Sequence, residues 1–186
     1  MSKVLAIMGS PRIKGNTNIL CKRFVEMLKK NTSCEVYVAN IGLKNNIHPC
    51  RSCGMCDVGC PINDDIKEIV KQFDKSDFIV WFTPVYFFQM SGHSKILLDR
   101  LGASYKWENK KFYFVFVSGS YGKEGGVDLL SEAMQRTAVW HNFQLVAYYN
   151  KVTEDNILPV TKEDTDFFVK VIEDIKQRCN NEVKKG

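Results

Sequence analysis

Short apolar runs alternating with stretches of helical spacing constrain this chain more than any other feature. Residues 4–8 form a fully apolar run, and Leu20, Phe24, Met27 and Leu28 then recur at helical spacing over about 17–30. Residues 35–39 open on charged Glu35 and form a short second strand that suits an edge position. Residues 40–63 show neither period. Asp64 and Asp65 then mark an acidic helix start whose apolar face carries Ile66, Ile69, Val70 and Phe73. Residues 78–82 are apolar throughout, as at the centre of a parallel sheet. A loop over 83–92 leads to a helix with Ile96, Leu97, Leu98 and Leu101, and a fourth strand over 112–117 follows. A Gly- and Ser-rich loop over 118–126, a helix over about 127–141, a strand over 145–149 and a closing helix with Phe168, Val171, Ile172 and Ile175 complete the chain. This order predicts an α/β fold of three layers, α/β/α. Its centre is a doubly wound, five-stranded parallel sheet with strand order 2-1-3-4-5.

At 186 residues the chain reads as one domain over 1–186, with a cysteine-rich insertion at about 41–63. A hydrophobic content of 45% and a charged content of 25% are ordinary for a soluble globular protein. No apolar run approaches the roughly 20 residues that span a bilayer, and the first residues lack a signal-peptide pattern. The expectation is a cytoplasmic protein without a membrane partner. The net charge of +5 comes from lysines interspersed with acids rather than clustered in a stripe, which argues against nucleic acid as a partner.

In a doubly wound sheet, ligands bind beyond the carboxyl ends of the strands where strand order reverses. Three loops reach that edge. In the first, 9–18, Gly9 and Gly15 permit tight turns, while Ser10, Arg12, Asn16, Thr17 and Asn18 supply donors beside the free N–H groups of a helix start. A phosphate suits that set, although the same residues would also turn the chain and cap a helix in any protein. The loop is neither G-x-G-x-x-G nor G-x-x-x-x-G-K-[ST], which disfavours a dinucleotide fold or a P-loop. In the second, Pro84, Val85, Tyr86 and Phe87 present apolar surface to a flat heteroaromatic ring, or else serve as core or interface side chains. In the third, Ser118, Gly119, Ser120, Tyr121 and Gly122 add small donors and an aromatic ring, or else a flexible turn. No Ser/His/Asp set and no helical His pair is visible, which disfavours hydrolysis.

Four of the seven cysteines crowd into the string Cys50-x2-Cys53-x2-Cys56-x3-Cys60-Pro61. Thiolates at that spacing ligate a [4Fe–4S] cluster in bacterial ferredoxins, where the fourth cysteine serves the other cluster. If Cys60 cannot close the same cluster, Cys21, Cys34 or Cys179 would have to. The alternatives are reduced thiols, a disulfide, or zinc, which more often takes two separated cysteine knuckles.

The pattern Gly9-Ser10-Pro11-Arg12-x-x-Gly15-Asn16-Thr17, a cysteine-rich segment before Asp64-Asp65, then Thr83-Pro84-Val85-Tyr86, Met90-Ser91-Gly92 and Lys95-x-x-x-Asp99-Arg100 resembles the flavodoxin-like NADPH-dependent FMN reductases. Within them it is most similar to the branch containing the iron-sulfur flavoproteins, although the last cysteine gap is shorter than that branch usually has. The resemblance spans roughly residues 3–150. It implies FMN, with the phosphate at Ser10, Arg12, Asn16, Thr17 and Asn18 and the isoalloxazine near Pro84, Val85, Tyr86 and Phe87. It further implies contributions from residues 118–122, a homodimer or homotetramer, and a flavin that carries the chemistry without a catalytic side chain. Backbone N–H groups after Pro84 are expected to face the flavin pyrimidine edge.

The electron donor is then NAD(P)H or, in a cluster-bearing form, ferredoxin, and the acceptor is a small molecule such as a quinone, a flavin or a nitro compound. No nicotinamide fingerprint is present, so pyridine-nucleotide use rests on the resemblance. A function of another class, a non-enzymatic metal- or thiol-based redox sensor on the same scaffold, would show as a protein that takes up no FMN.

Overall fold

The computed structural model describes residues 2–42, 46–101, 106–154 and 156–183. Strands β1 (Lys3–Met8), β2 (Glu35–Ala39), β3 (Phe78–Tyr86), β5 (Lys111–Ser118) and β6 (Gln144–Val152) form a parallel sheet in the order β2-β1-β3-β5-β6. A two-residue strand, β4 (Gln89–Met90), turns back antiparallel on the end of β3. The expected flavodoxin-like order therefore holds for the five long strands, and β4 is an addition to it.

Alternation along the strands divides the core in two. One face of the sheet presents Leu5, Ile7, Ile79, Trp81, Phe112 and Phe114. Against it lie the apolar faces of α2 (Ile66–Lys75), α3 (Gly92–Leu101) and α5 (Val127–His141). The other presents Val4, Ala6, Val80, Phe82, Tyr113 and Val115 to α1 (Asn16–Asn31) and α6 (Lys162–Val183). Both faces being covered explains why β1, β3 and β5 read as continuous apolar runs, whereas β2 at the edge keeps exposed and half-buried positions. The start of β2 is also tied to the last helix, where Cys34 Sγ and Cys179 Sγ lie 3.8 Å apart.

Two expectations are corrected. Residues 83–86 are strand rather than loop, because β5 pairs Phe116 with Thr83 and Val117 with Pro84, while β4 pairs Met90 with Val85 and Gln89 with Tyr86. Within the supposed loop 118–126, Gly122–Gly125 makes a single helical turn, α4. The insertion expected at 41–63 contributes only a 3₁₀ turn at Cys56–Val58 among its described residues; 43–45 lie outside them. No helix among the described residues is long and apolar enough to cross a membrane.

Candidate functional site

A cleft of about 270 Å³ opens at the carboxyl ends of β1, β3, β5 and β6. Ser10, Arg12, Asn16 and Thr17 line it after β1, joined by Lys14 and Gly15. Pro84, Val85 and Tyr86 form the wall at the end of β3, and Val117, Ser118 and Gly119 line it where β5 ends. Thr153, Asn156 and Ile157, beyond β6, close the fourth side. The cleft lies between β1 and β3, where the crossovers change direction along the sheet.

The first loop is held by backbone contacts that leave no room for larger residues. Gly9 N donates to Phe82 O at 2.8 Å, and Ser91 Oγ donates to Gly9 O at 2.6 Å. A Cβ on Gly9 would stand 2.0 Å from Ser94 Oγ, so the loop approaches α3 as only glycine allows. Gly15 N closes a turn onto Arg12 O at 3.1 Å, and the Gly15 carbonyl receives Asn18 N and Ile19 N as α1 begins. Arg12 N donates to Ser10 Oγ at 3.2 Å, which leaves the Ser10 hydroxyl proton to donate elsewhere. The first turn of α1 adds N–H groups with no partner inside the helix. Among the described residues, two cations, Arg12 and Lys14, line the cleft and no carboxylate does. That donor set fits a dianionic phosphate.

Under the β3 wall, Thr83 Oγ1 accepts from Ser91 N at 3.2 Å, and Trp81 Nε1 donates to Ser94 Oγ at 3.2 Å. These buried bonds fix Pro84, Val85 and Tyr86 as an apolar surface able to lie against a flat ring. The chain then turns at Phe87 and Phe88 with φ of 47° and 65°, a left-handed conformation that aromatic residues adopt only under strain.

Five residues expected at the site do not line the cleft. Asn18 is buried behind the loop and its Nδ2 donates to Ile13 O, bracing the turn instead of facing a ligand. Phe87 stands at the hairpin tip, 95% exposed. Ser120 offers its carbonyl to Ser118 Oγ at 2.7 Å, Tyr121 is exposed, and Gly122 begins α4. Conversely, Lys14, Gly15, Val117, Thr153, Asn156 and Ile157 were missed. The rule that ligands sit beyond strand ends, applied to the last strand as well, would have pointed to 153–157.

The cysteine segment runs from the cleft's neighbourhood to α2. Cys50 and Cys53 are exposed and Cys56 and Cys60 half-buried. Cys60 Sγ accepts from Arg100 Nη2 at 3.3 Å, while Arg100 Nη1 donates to Asp64 Oδ2 and His48 O, each at 2.8 Å. Both members of the Arg100–Asp64 pair are buried. Burial alone would raise the Asp64 carboxyl, but the guanidinium and the N–H groups of His48 and Ile66 outweigh it and hold the group below the usual carboxylate range. Among the described residues no three His, Cys, Asp or Glu side chains gather into a metal-holding group. The expected ligand set of Cys50, Cys53, Cys56 and Cys60 is thus not assembled: Cys60 is engaged by Arg100, and the residues between the thiols turn through left-handed Ser52, Gly54 and Gly59. As placed, these thiols do not fit a four-thiolate cluster.

A βα turn whose donors fit a phosphate, at the switch point of a flavodoxin-like sheet and with a flat apolar wall opposite, is the arrangement of the flavin mononucleotide-binding class. The chain belongs to the NADPH-dependent FMN reductase family, whose model matches residues 2–154, and is an FMN-dependent oxidoreductase. It is 33% identical over 149 residues to an iron-sulfur flavoprotein of Methanocaldococcus jannaschii, covering 77% of this chain and 72% of that one. It is 35% identical over 133 residues to an iron-sulfur flavoprotein of Archaeoglobus fulgidus, covering 68% of this chain and 63% of that one, so it spans less than two thirds of the latter's length. The fold is shared with an FMN-dependent NADH-azoreductase of Bacillus anthracis solved with FMN. Its TM-score is 0.70 at 13% identity, over 96% of this chain and 99% of that one.

Proposed function

We propose that the cleft binds FMN with its phosphate in the 10–17 loop and its ring against Pro84, Val85 and Tyr86, and that NAD(P)H reduces it for delivery of electrons to a small acceptor such as a quinone, a flavin or a nitro compound. The observation that carries this reading is the charge of the cleft: Arg12, Lys14 and the start of α1 meet at one end, with no carboxylate among the described lining residues, while the opposite wall is apolar. Bound FMN would supply hydride acceptance and electron transfer, and the protein's part is to bind, orient and exclude water. Arg12 and Lys14 offset the phosphate charge. The Thr83, Ser91 and Ser94 bonds hold the ring wall at a fixed height. Flavin titration of the purified protein, followed by NADPH and NADH oxidation with each acceptor class, tests it; failure to take up FMN would overturn it.

Copies of the chain are proposed to associate as a homodimer or dimer of dimers. Support comes from apolar side chains left in water at the hairpin tip and along α5, with Phe87 95%, Trp140 85% and Leu129 51% exposed. A second reading differs in the donor, ferredoxin in place of NAD(P)H, and is favoured by the cysteine spacing and by the names of the archaeal relatives. The thiols as placed do not fit a cluster, so no step is assigned to them.

A further inference from the structure

Beyond β6 the chain runs back across the mouth of the cleft and is fastened at both ends. Thr153 N and Oγ1 both donate to Ser118 O, at 2.9 and 3.1 Å. Asn156 N then donates to Thr153 O at 2.8 Å. The far end is fastened by one side chain of the first loop. Asn16 Nδ2 donates to Asn156 O at 2.7 Å, and Asn16 Oδ1 accepts from Leu158 N at 2.9 Å. A single amide thus directs one N–H and its carbonyl oxygen to backbone about 140 residues away in sequence. Thr153, Asn156 and Ile157 line the cleft between these two fastenings, and Ile157 remains 66% exposed at its mouth.

We propose that Thr153, Asn156, Ile157 and Leu158 form a strap along the ribityl side of FMN, latched by Asn16, which acts as a positioning residue through that strap and not as a phosphate ligand through its side chain. The proposal rests on the FMN reading of the cleft. Its direction follows from where the fastenings lie: Ser118 is at the ring end and Asn16 at the phosphate end, so the strap spans the length between them. The two contacts take Oδ1 and one of the two Nδ2 protons and hold the amide toward the strap, so the side chain keeps one N–H beside the backbone N–H. The exposed Ile157 side chain gains a partner when a ligand fills the mouth, which slows departure of the ligand by covering it.

Asparagine is required by the pair of contacts. Aspartate would keep an acceptor for Leu158 N but set a carboxylate against Asn156 O. Alanine would remove both bonds, and two hydrogen bonds of ordinary net strength correspond to about tenfold or somewhat more in an equilibrium constant.

The test measures release of FMN and of riboflavin, which lacks the phosphate, from the full-length protein by recovery of flavin fluorescence. Asn16→Ala and Leu158→Pro are compared with the unaltered chain; the second removes the N–H that Asn16 accepts without touching the phosphate loop. The strap predicts that Asn16→Ala, which removes both bonds, releases both flavins about tenfold faster, and that Leu158→Pro, which removes one, releases both about threefold to fivefold faster. Combining the two changes should add much less than the sum of their effects. A phosphate ligand would behave differently, since Asn16→Ala would then weaken FMN and leave riboflavin unchanged, and that result would overturn the proposal. Unchanged release in both variants would overturn it as well. If the unaltered chain binds neither flavin, the FMN reading itself fails, and the strap with it.

Discussion

Gly126 lies so close under Phe88 that a Cβ added to it would stand 2.4 Å from the Phe88 Cα. Its φ of 74° is left-handed as well. The turn that ends the ring wall is therefore seated on the start of α5, and only glycine permits the contact. Gly126→Ala should lower the free energy of unfolding by about 2 kcal/mol or more, combining the left-handed cost with the overlap. Denaturant unfolding measures it, and an unchanged midpoint would show that the turn is not seated there.

Phe87 occupies its left-handed position without packing, being almost fully exposed. Phe87→Gly should relieve strain and stabilise the dissociated chain by about 1 kcal/mol, while weakening the proposed association of copies. Lower acceptor turnover in a variant that is more stable would show that the strained ring serves the site; a loss of stability would show that the ring packs against something.

The loop cations are predicted to act on the phosphate alone. Arg12→Gln and Lys14→Gln should each weaken FMN binding by about tenfold at low ionic strength, with the deficit shrinking as salt is added. Riboflavin affinity should stay within a factor of about two. Equal losses for both flavins would place the cations elsewhere.

The Arg100–Asp64 pair makes stability depend on pH. The Asp64 carboxyl is held below its ordinary range in the folded state, so its contribution is fully present above the unfolded carboxylate pKa and is lost as pH falls through the folded one. Stability should therefore drop in the acid range, below the ordinary carboxylate value of 3.8. Asp64→Asn should remove that part of the pH profile while costing stability at neutral pH, where Arg100 is left buried without a counter-charge. Unfolding curves for both chains across the acid range decide it, and parallel profiles would contradict the assignment.

Much of the fold was legible because both faces of the sheet are covered. The continuous apolar runs of β1, β3 and β5 are readable without partners, and β2, with exposed and half-buried positions, stands apart from them as an edge strand. The end of β3 was not, since Thr83, Pro84 and Tyr86 look like loop residues until β5 pairs beside the first two and β4 beside the third. The β4 hairpin was hidden because its turn uses Phe87 and Phe88 where Asn-Gly would be the readable signal. At the site, loop composition revealed Ser10, Arg12 and Thr17 but could not tell a residue facing the cleft from one bracing it. Asn18 turned inward and Asn16 turned to Asn156, choices set by contacts remote in sequence. The placement of the cysteines is set in the same way, since Arg100, 40 residues further on, donates to Cys60.

The most direct measurement is rapid mixing of the anaerobically purified, FMN-loaded protein with NADPH, alongside assay of iron and acid-labile sulfide on the same sample. Direct reduction predicts one FMN per chain, bleached by NADPH with no other protein added. A chain that binds no FMN, or whose FMN responds only to reduced ferredoxin and comes with stoichiometric iron and sulfide, would contradict it.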